Sequence, residues 1–191
     1  MKKLILFALL SGFVSLSAMA ASLENQTFEE VAQLVNKDLQ LNGLGVRSVL
    51  FFKVYVAGLY LIDKSKNSQD VLSNGEPKRL QLQMLRDVDA ADIKKALIDG
   101  MRERCSESQW IALKARASQL ARTIDMIGRS KKGDTIALDF VPDRGMTLTY
   151  NHVIQGNSIH GQDFYNAILS IFIGERPVDA SLKQGLMGLA R

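Results

Sequence analysis

The chain has 191 residues, with 24 Lys and Arg against 20 Asp and Glu and a formal charge of +4. The first 20 residues hold Lys2 and Lys3 and no acid, so the remainder carries only +2, too small a basic excess for a nucleic-acid binder. Cys105 is the only cysteine, which excludes an internal disulfide, and the length suits one domain with a real core.

The amino terminus reads as an export signal. Lys2 and Lys3 form a positive start, Leu4 to Leu10 is an unbroken apolar run, and Ala18-Met19-Ala20 places small residues where a signal peptidase cuts. Residues 1–20 are therefore expected to be removed before Ala21. A membrane span needs about 20 apolar residues, and Gly12 and the serines dilute this stretch. No cysteine follows the cut to carry a lipid, and no second hydrophobic run follows. The expectation is an exported, soluble single domain over 21–191, periplasmic in a bacterium with two membranes, with no stable membrane anchor after cleavage.

Phe28 to Leu34 is amphipathic and reads as a short helix or an irregular lead-in. Leu39-Gln40-Leu41 alternates like a strand, punctuated by Asn42-Gly43 and Gly45. From Val49 to Ile62 the chain is rich in Val, Phe, Tyr and Leu, a long strand in which Gly58 marks a bulge or a close backbone approach. Asp63 to Pro77 is a loop with one turn of helix. Arg79 to Arg86 alternates, with Leu80, Leu82 and Met84 on one face, as a half-buried strand does.

Asp89 is placed to cap a helix whose stripe is Ile93, Leu97, Met101 and Cys105, which makes Cys105 a core residue. A second helix begins after Ser106 or Ser108, with Trp110, Leu113, Ala117, Leu120, Ile124 and Ile127 at three- and four-residue steps, and Gly128 closes it. Two strands, Asp134 to Val141 and Met146 to His152, flank the turn Pro142-Asp143-Arg144-Gly145, and another strand runs to Ile159. Gln162 to Ile173 is a helix ended by Gly174, and Asp179 caps a last short helix ending at Gly188. Strands and helices in this order predict an α+β layer architecture.

Familiar chemical constellations are missing. His152 and His160 have no acid or cysteine at metal-ligand spacing, so neither a metal nor a cofactor is expected. There is no Gly-x-Ser-x-Gly, phosphate loop or dinucleotide fingerprint. One stretch stands apart: Gly43-Leu44-Gly45-Val46-Arg47, followed by Phe51-Phe52-Lys53-Val54-Tyr55-Val56-Ala57-Gly58-Leu59-Tyr60-Leu61. It leads a guanidinium, able to grip a carboxylate with a planar fork, into a strongly apolar strand.

That segment resembles the signature of chalcone isomerase-like proteins. The resemblance continues in Leu85-Arg86-Asp87-Val88-Asp89 and returns in Phe164, Ala167-Ile168, Ile171-Phe172-Ile173-Gly174, Pro177 and Leu182-Lys183. It implies an open-faced β-sandwich, a large antiparallel sheet covered by helices with a ligand cleft between them. The family holds plant enzymes that cyclise chalcones, fatty-acid-binding relatives and non-catalytic members. In the enzymes an arginine matching Arg47 polarises the substrate. Their strand threonine is Tyr55 here, and their helix tyrosine and asparagine have no counterpart between Asp89 and Leu97.

The resemblance thus implies a non-catalytic binder of a small hydrophobic or amphipathic ligand, a fatty acid or related carboxylate. Arg47 would hold the head group, Tyr55 would assist, and Phe51 and Phe52 would line the pocket for the tail. Lys53 and Tyr60 are rival polar contributors. Eight residues of straight strand span about 26 Å, so Arg47 and Tyr55 can share a site only if the chain turns between Arg47 and Phe52, where no Gly or Pro sits. Two alternatives stand beside this reading: an intramolecular lyase or isomerase of the chalcone isomerase type, and a structural or partner-binding protein with a filled cleft.

Overall fold

The computed structural model describes residues 20–190. The expected export signal therefore lies outside the described residues, Ala20 apart. The chain opens with two short hairpin strands, β1 (Ala20–Leu23) and β2 (Gln26–Glu29). The main sheet is antiparallel and is built from β3 (Val31–Leu34), β4 (Lys37–Val49), β5 (Phe52–Leu61), β6 (Lys78–Met84), β9 (Thr135–Val141), β10 (Gly145–Tyr150) and β11 (Val153–Ile159). Its spatial order is β11-β10-β9-β6-β5-β4-β3. A small ladder pairs β7 (Val88–Asp89) with β8 (Arg129–Ser130). The helices are α1 (Ser68–Ser73), α2 (Ala90–Arg102), α3 (Glu107–Asp125), α4 (Gln162–Ile173) and α5 (Ala180–Leu186).

The sheet separates two apolar clusters, as its period-2 alternation requires. One face carries the main core, where Ala57, Leu59, Leu80, Leu82 and Leu138 meet the inward residues of the helices. The expected α2 and α3 stripes supply it through Leu97, Met101, Trp110, Leu113, Leu120 and Ile124, and α4 adds Phe164, Ile168 and Phe172. Cys105, expected in the core at the end of the α2 stripe, lies beyond that helix, which ends at Arg102, and is only partly buried against this cluster. The opposite face holds a smaller cluster of Phe28, Leu39, Leu41, Val56 and Tyr60 under the β1–β2 hairpin. This is the α+β open-faced sandwich anticipated above.

Local chemistry sets the element ends. Ser106 and Gln109 form a reciprocal capping box at the start of α3. Asp89 occupies the N-cap position of α2 but makes no capping bond, because its carboxylate faces Arg129 instead.

Three departures from the sequence reading share one cause: turns made without glycine or proline. Phe28 to Leu34 is not helical. Glu24-Asn25 and Val35-Asn36 both take positive φ, and the two tight hairpins they close draw the intervening residues into β2 and β3. The strand predicted to reach His152 stops at Tyr150, since Asn151-His152 is another such turn. The third departure is functional. The long strand from Val49 to Ile62 is broken at Leu50-Phe51, where Leu50 adopts a φ of 54°.

The glycines of β4 also have a different role. Gly43 and Gly45 do not interrupt the strand but lie inside it. A Cβ on Gly43 would come 2.1 Å from the Gly185 carbonyl oxygen, and one on Gly45 would come 2.5 Å from that of Leu182. Their bare backbone lets α5 lie directly on the strand. Gly58 marks no bulge in β5; the Phe28 ring fills the space where its side chain would be.

Candidate ligand-binding cavity

The turn at Leu50-Phe51 folds β5 back on β4, and Arg47 and Tyr55 become directly paired across the ladder. The register slips between Arg47 and Ser48, leaving Val54 as the extra residue of a bulge. Val54 and Tyr55 both line the same cavity as Arg47. A separation of about 26 Å along a straight strand thus becomes one rung of a hairpin.

The α5 helix brings a further group to this rung. It runs antiparallel to β4, with Gly185 over Gly43 and Leu182 over Gly45. One turn earlier, this register places Asp179 beside Arg47, with Nη1 and Oδ2 3.3 Å apart. The Asp179 carboxylate also caps α5, accepting from the Ser181 and Leu182 amides at 2.9 and 3.1 Å and from the Ser181 hydroxyl at 2.7 Å. Burial would raise its pKa, but these hydrogen bonds outweigh burial and hold the carboxyl below its ordinary range. Arg47 Nη1 donates in addition to the Ser48 carbonyl. Burial pushes the Tyr55 phenol well up; the nearby Arg47 charge pulls it down and Asp179 adds to the rise.

These groups sit at the mouth of a cavity of about 590 Å³ between the sheet and helices α2 and α4. That volume falls within the roughly 300–1,000 Å³ of small-molecule sites. Its wall is apolar, with Leu82, Ile136, Leu138, Leu148, Ile171 and Phe172 in the depth. Arg86, Asp87, Asp89 and Arg129 join Arg47 around the opening. Arg129 lies 3.7 Å from Asp87 and 3.6 Å from Asp89. Arg86 forms no ion pair among the described residues; its guanidinium lies over the Phe52 ring at 5.1 Å.

The chalcone isomerase-like family model matches residues 20–188. The chain belongs to the chalcone isomerase-like family. Among solved structures, the crystal structure of a fatty-acid binding protein of Arabidopsis thaliana superposes with a TM-score of 0.70 at 14% identity, covering 88% of this chain and 96% of that one. At that identity the likeness is one of fold. No curated protein matches the sequence.

In this chalcone isomerase-like chain the anticipated site residues divide. Arg47 and Tyr55 lie in the cavity wall, on one rung. Phe51 and Phe52 do not line the cavity. Phe51 is 97% exposed at the hairpin tip, and Phe52, 60% exposed, flanks the opening under Arg86. The sequence run conceals this because a turn built from Leu50 and Phe51 carries no turn chemistry.

Lys53 is turned away to Glu24, at 2.7 Å. Tyr60 lies in the cluster on the opposite face and donates to the Glu29 carbonyl at 3.0 Å. The alternative of a cleft filled by bulky side chains meets a space of about 590 Å³ left between the sheet and the helices. Two contributors, Arg86 and Asp179, went unassigned from sequence: one closes an alternating strand, and the other reads as an ordinary helix cap. Among the described residues no cluster of three or more His, Cys, Asp or Glu is placed to hold a metal ion.

Proposed function

We propose that this protein is an exported, non-catalytic binder of a small hydrophobic or amphipathic ligand, a fatty acid or a similar carboxylate. The observation that carries the reading is the polarity of the cavity, apolar in its depth and polar at its opening, where Arg47, Arg86 and Tyr55 stand beside an Arg129–Asp87–Asp89 cluster and Asp92. A carboxylate head would sit at the rim and an alkyl tail would run inward along Leu82, Leu138 and Leu148.

Among the described residues only Nη1 of Arg47 is taken by internal acceptors. The other N–H groups of its fork remain for a ligand. Arg86 supplies a second cation, one with no carboxylate partner among the described residues. The fold shared with the Arabidopsis fatty-acid binding protein supports the same reading. The amino-terminal signal pattern supports export. Against catalysis stand the absent helix tyrosine and asparagine and the partial neutralisation of Arg47 by Asp179.

Native mass spectrometry of protein purified from its own compartment, followed by denaturing extraction, tests this directly. A stoichiometric amphiphile is the expected result. Turnover of a chalcone well above the spontaneous rate, lost in Arg47→Ala, would replace the proposal with an isomerase.

A further inference from the structure

The antiparallel order brings the ends of six strands to one side of the molecule: the β4–β5 tip at Leu50-Phe51, the exits of β6 and β10, and the entries of β9 and β11. The cavity opens at this side. It is also where exposed apolar side chains collect. Val49, Leu50, Phe51 and Phe52 form the β4–β5 tip, with Leu50 86% exposed, and Val153 and Ile154 begin β11. Met126, also exposed, follows the end of α3, whose Thr123 packs on Gly156 of β11.

Between the two apolar points, four strand spacings or about 19 Å apart, lie Arg86, Lys131 and Lys132, which form no ion pair among the described residues. The acids beside them are already engaged. Asp87 and Asp89 face Arg129, and Asp134 accepts from the Tyr150 hydroxyl, the Asn151 amide and the Lys131 backbone N–H.

The tip is also built at a cost. Leu50 holds a left-handed φ that glycine or asparagine would adopt more easily, and its side chain gains no burial in return. We infer that this rim docks on the surface of an anionic lipid bilayer, inserting Leu50, Phe51 and Phe52 among the lipids and setting Arg86, Lys131 and Lys132 against the headgroups.

The geometry favours a bilayer over a protein. With each phenylalanine near 200 Å², the convex tip offers on the order of 500 Å², short of the roughly 800 Å² per partner of a stable protein interface. Two separate apolar points flanking a basic strip and an open cavity match a flat, anionic, apolar-cored surface. Ala20, where the described chain begins, pairs with Glu29 near Tyr60, at the far end of the sheet from the tip. Docked this way, the cavity faces the membrane and can exchange an amphiphile with it without exposing the tail to water.

Co-sedimentation with vesicles of phosphatidylcholine containing phosphatidylglycerol tests the inference. The wild type should sediment with them, and Phe51→Asp should lose binding tenfold or more at unchanged melting temperature, since Phe51 packs on nothing. Phe51→Trp should show a blue-shifted emission on adding vesicles. Absence of wild-type sedimentation, or equal sedimentation of Phe51→Asp, overturns it. So does a solution dimer or protein complex that Phe51→Asp dissolves. Docking stands apart from the ligand reading: a protein that binds vesicles but holds no fatty acid keeps this inference and loses the other.

Discussion

Arg47 holds the carboxylate of Asp179 at 3.3 Å, so the arginine expected to clamp a ligand already has an internal carboxylate at one edge of its fork. The contact follows from helix-on-strand register. Gly43 and Gly45 admit α5 to the strand, and the N-cap of α5 then falls level with Arg47. Asp179 thereby orients the guanidinium while leaving Nη2 and Nε for another acceptor.

Arg47→Ala should weaken binding of a long-chain carboxylate about 10- to 150-fold, the loss of a hydrogen bond to a charged group worth about 1.5–3 kcal/mol. Its melting temperature should fall by only a few degrees, because Asp179 keeps its capping bonds to α5. Calorimetric titration beside thermal unfolding separates the two effects; equal affinity in the variant removes the clamp.

Asp179→Asn preserves a good helix cap while removing a negative charge from the mouth. Affinity for a carboxylate should rise about two- to fivefold, the scale of a partly exposed ion pair of up to about 1 kcal/mol. Affinity for the matching alcohol should stay level. A weaker carboxylate complex would mean that Asp179 positions Arg47 more than it competes with the ligand.

Gly45→Ala drives a methyl group toward the Leu182 carbonyl and tests the seat of α5. Overpacking of this kind costs about 1–3 kcal/mol, or roughly 2–12 °C in a domain of this size. Because α5 carries Asp179, the variant should also perturb carboxylate binding. Unchanged stability would show that α5 can slide without loss.

Lys78 is fully buried, with its ammonium donating to the Val71 and Asn74 carbonyls and to Asn74 Oδ1. Burial pulls its pKa from 10.5 down to about 8. Between those values the unfolded chain binds more protons than the folded one, so this group makes stability rise with pH from about 8 upward. The phenols act in the opposite sense. Burial raises Tyr60 to about 12 and pushes Tyr55 and Tyr165 up as well, so stability falls once unfolded tyrosines ionise above 10. Denaturant melts across this range should peak near pH 10. Lys78→Met, less stable throughout because two carbonyls lose their donor, should show no rise above pH 8; a rise that persists in the variant assigns it elsewhere.

Much of the architecture was legible because it is periodic. Leu80, Leu82 and Met84 alternate, the α3 stripe repeats at helical steps, and Gly174 and Asp179 punctuate the carboxyl end, so these elements fall where side-chain spacing puts them. The turns at Val35-Asn36, Leu50-Phe51 and Asn151-His152 were harder to see. At Val35 and Leu50 strand pairing on either side forces positive φ on residues that rarely choose it, and local chemistry carries little trace of that.

The amino-acid sequence by itself determined the α+β layering, the family resemblance and the choice of Arg47 and Tyr55, because burial pattern and residue type are local properties. Only the tertiary structure decided that these two residues share a rung, that Asp179 joins them, and that Phe51 and Phe52 lie outside the cavity. Each depends on register between segments far apart in the chain, Arg47 and Asp179 being separated by 132 positions. Register is set by how whole surfaces pack, here by two glycines under a helix and a non-glycine turn in a hairpin.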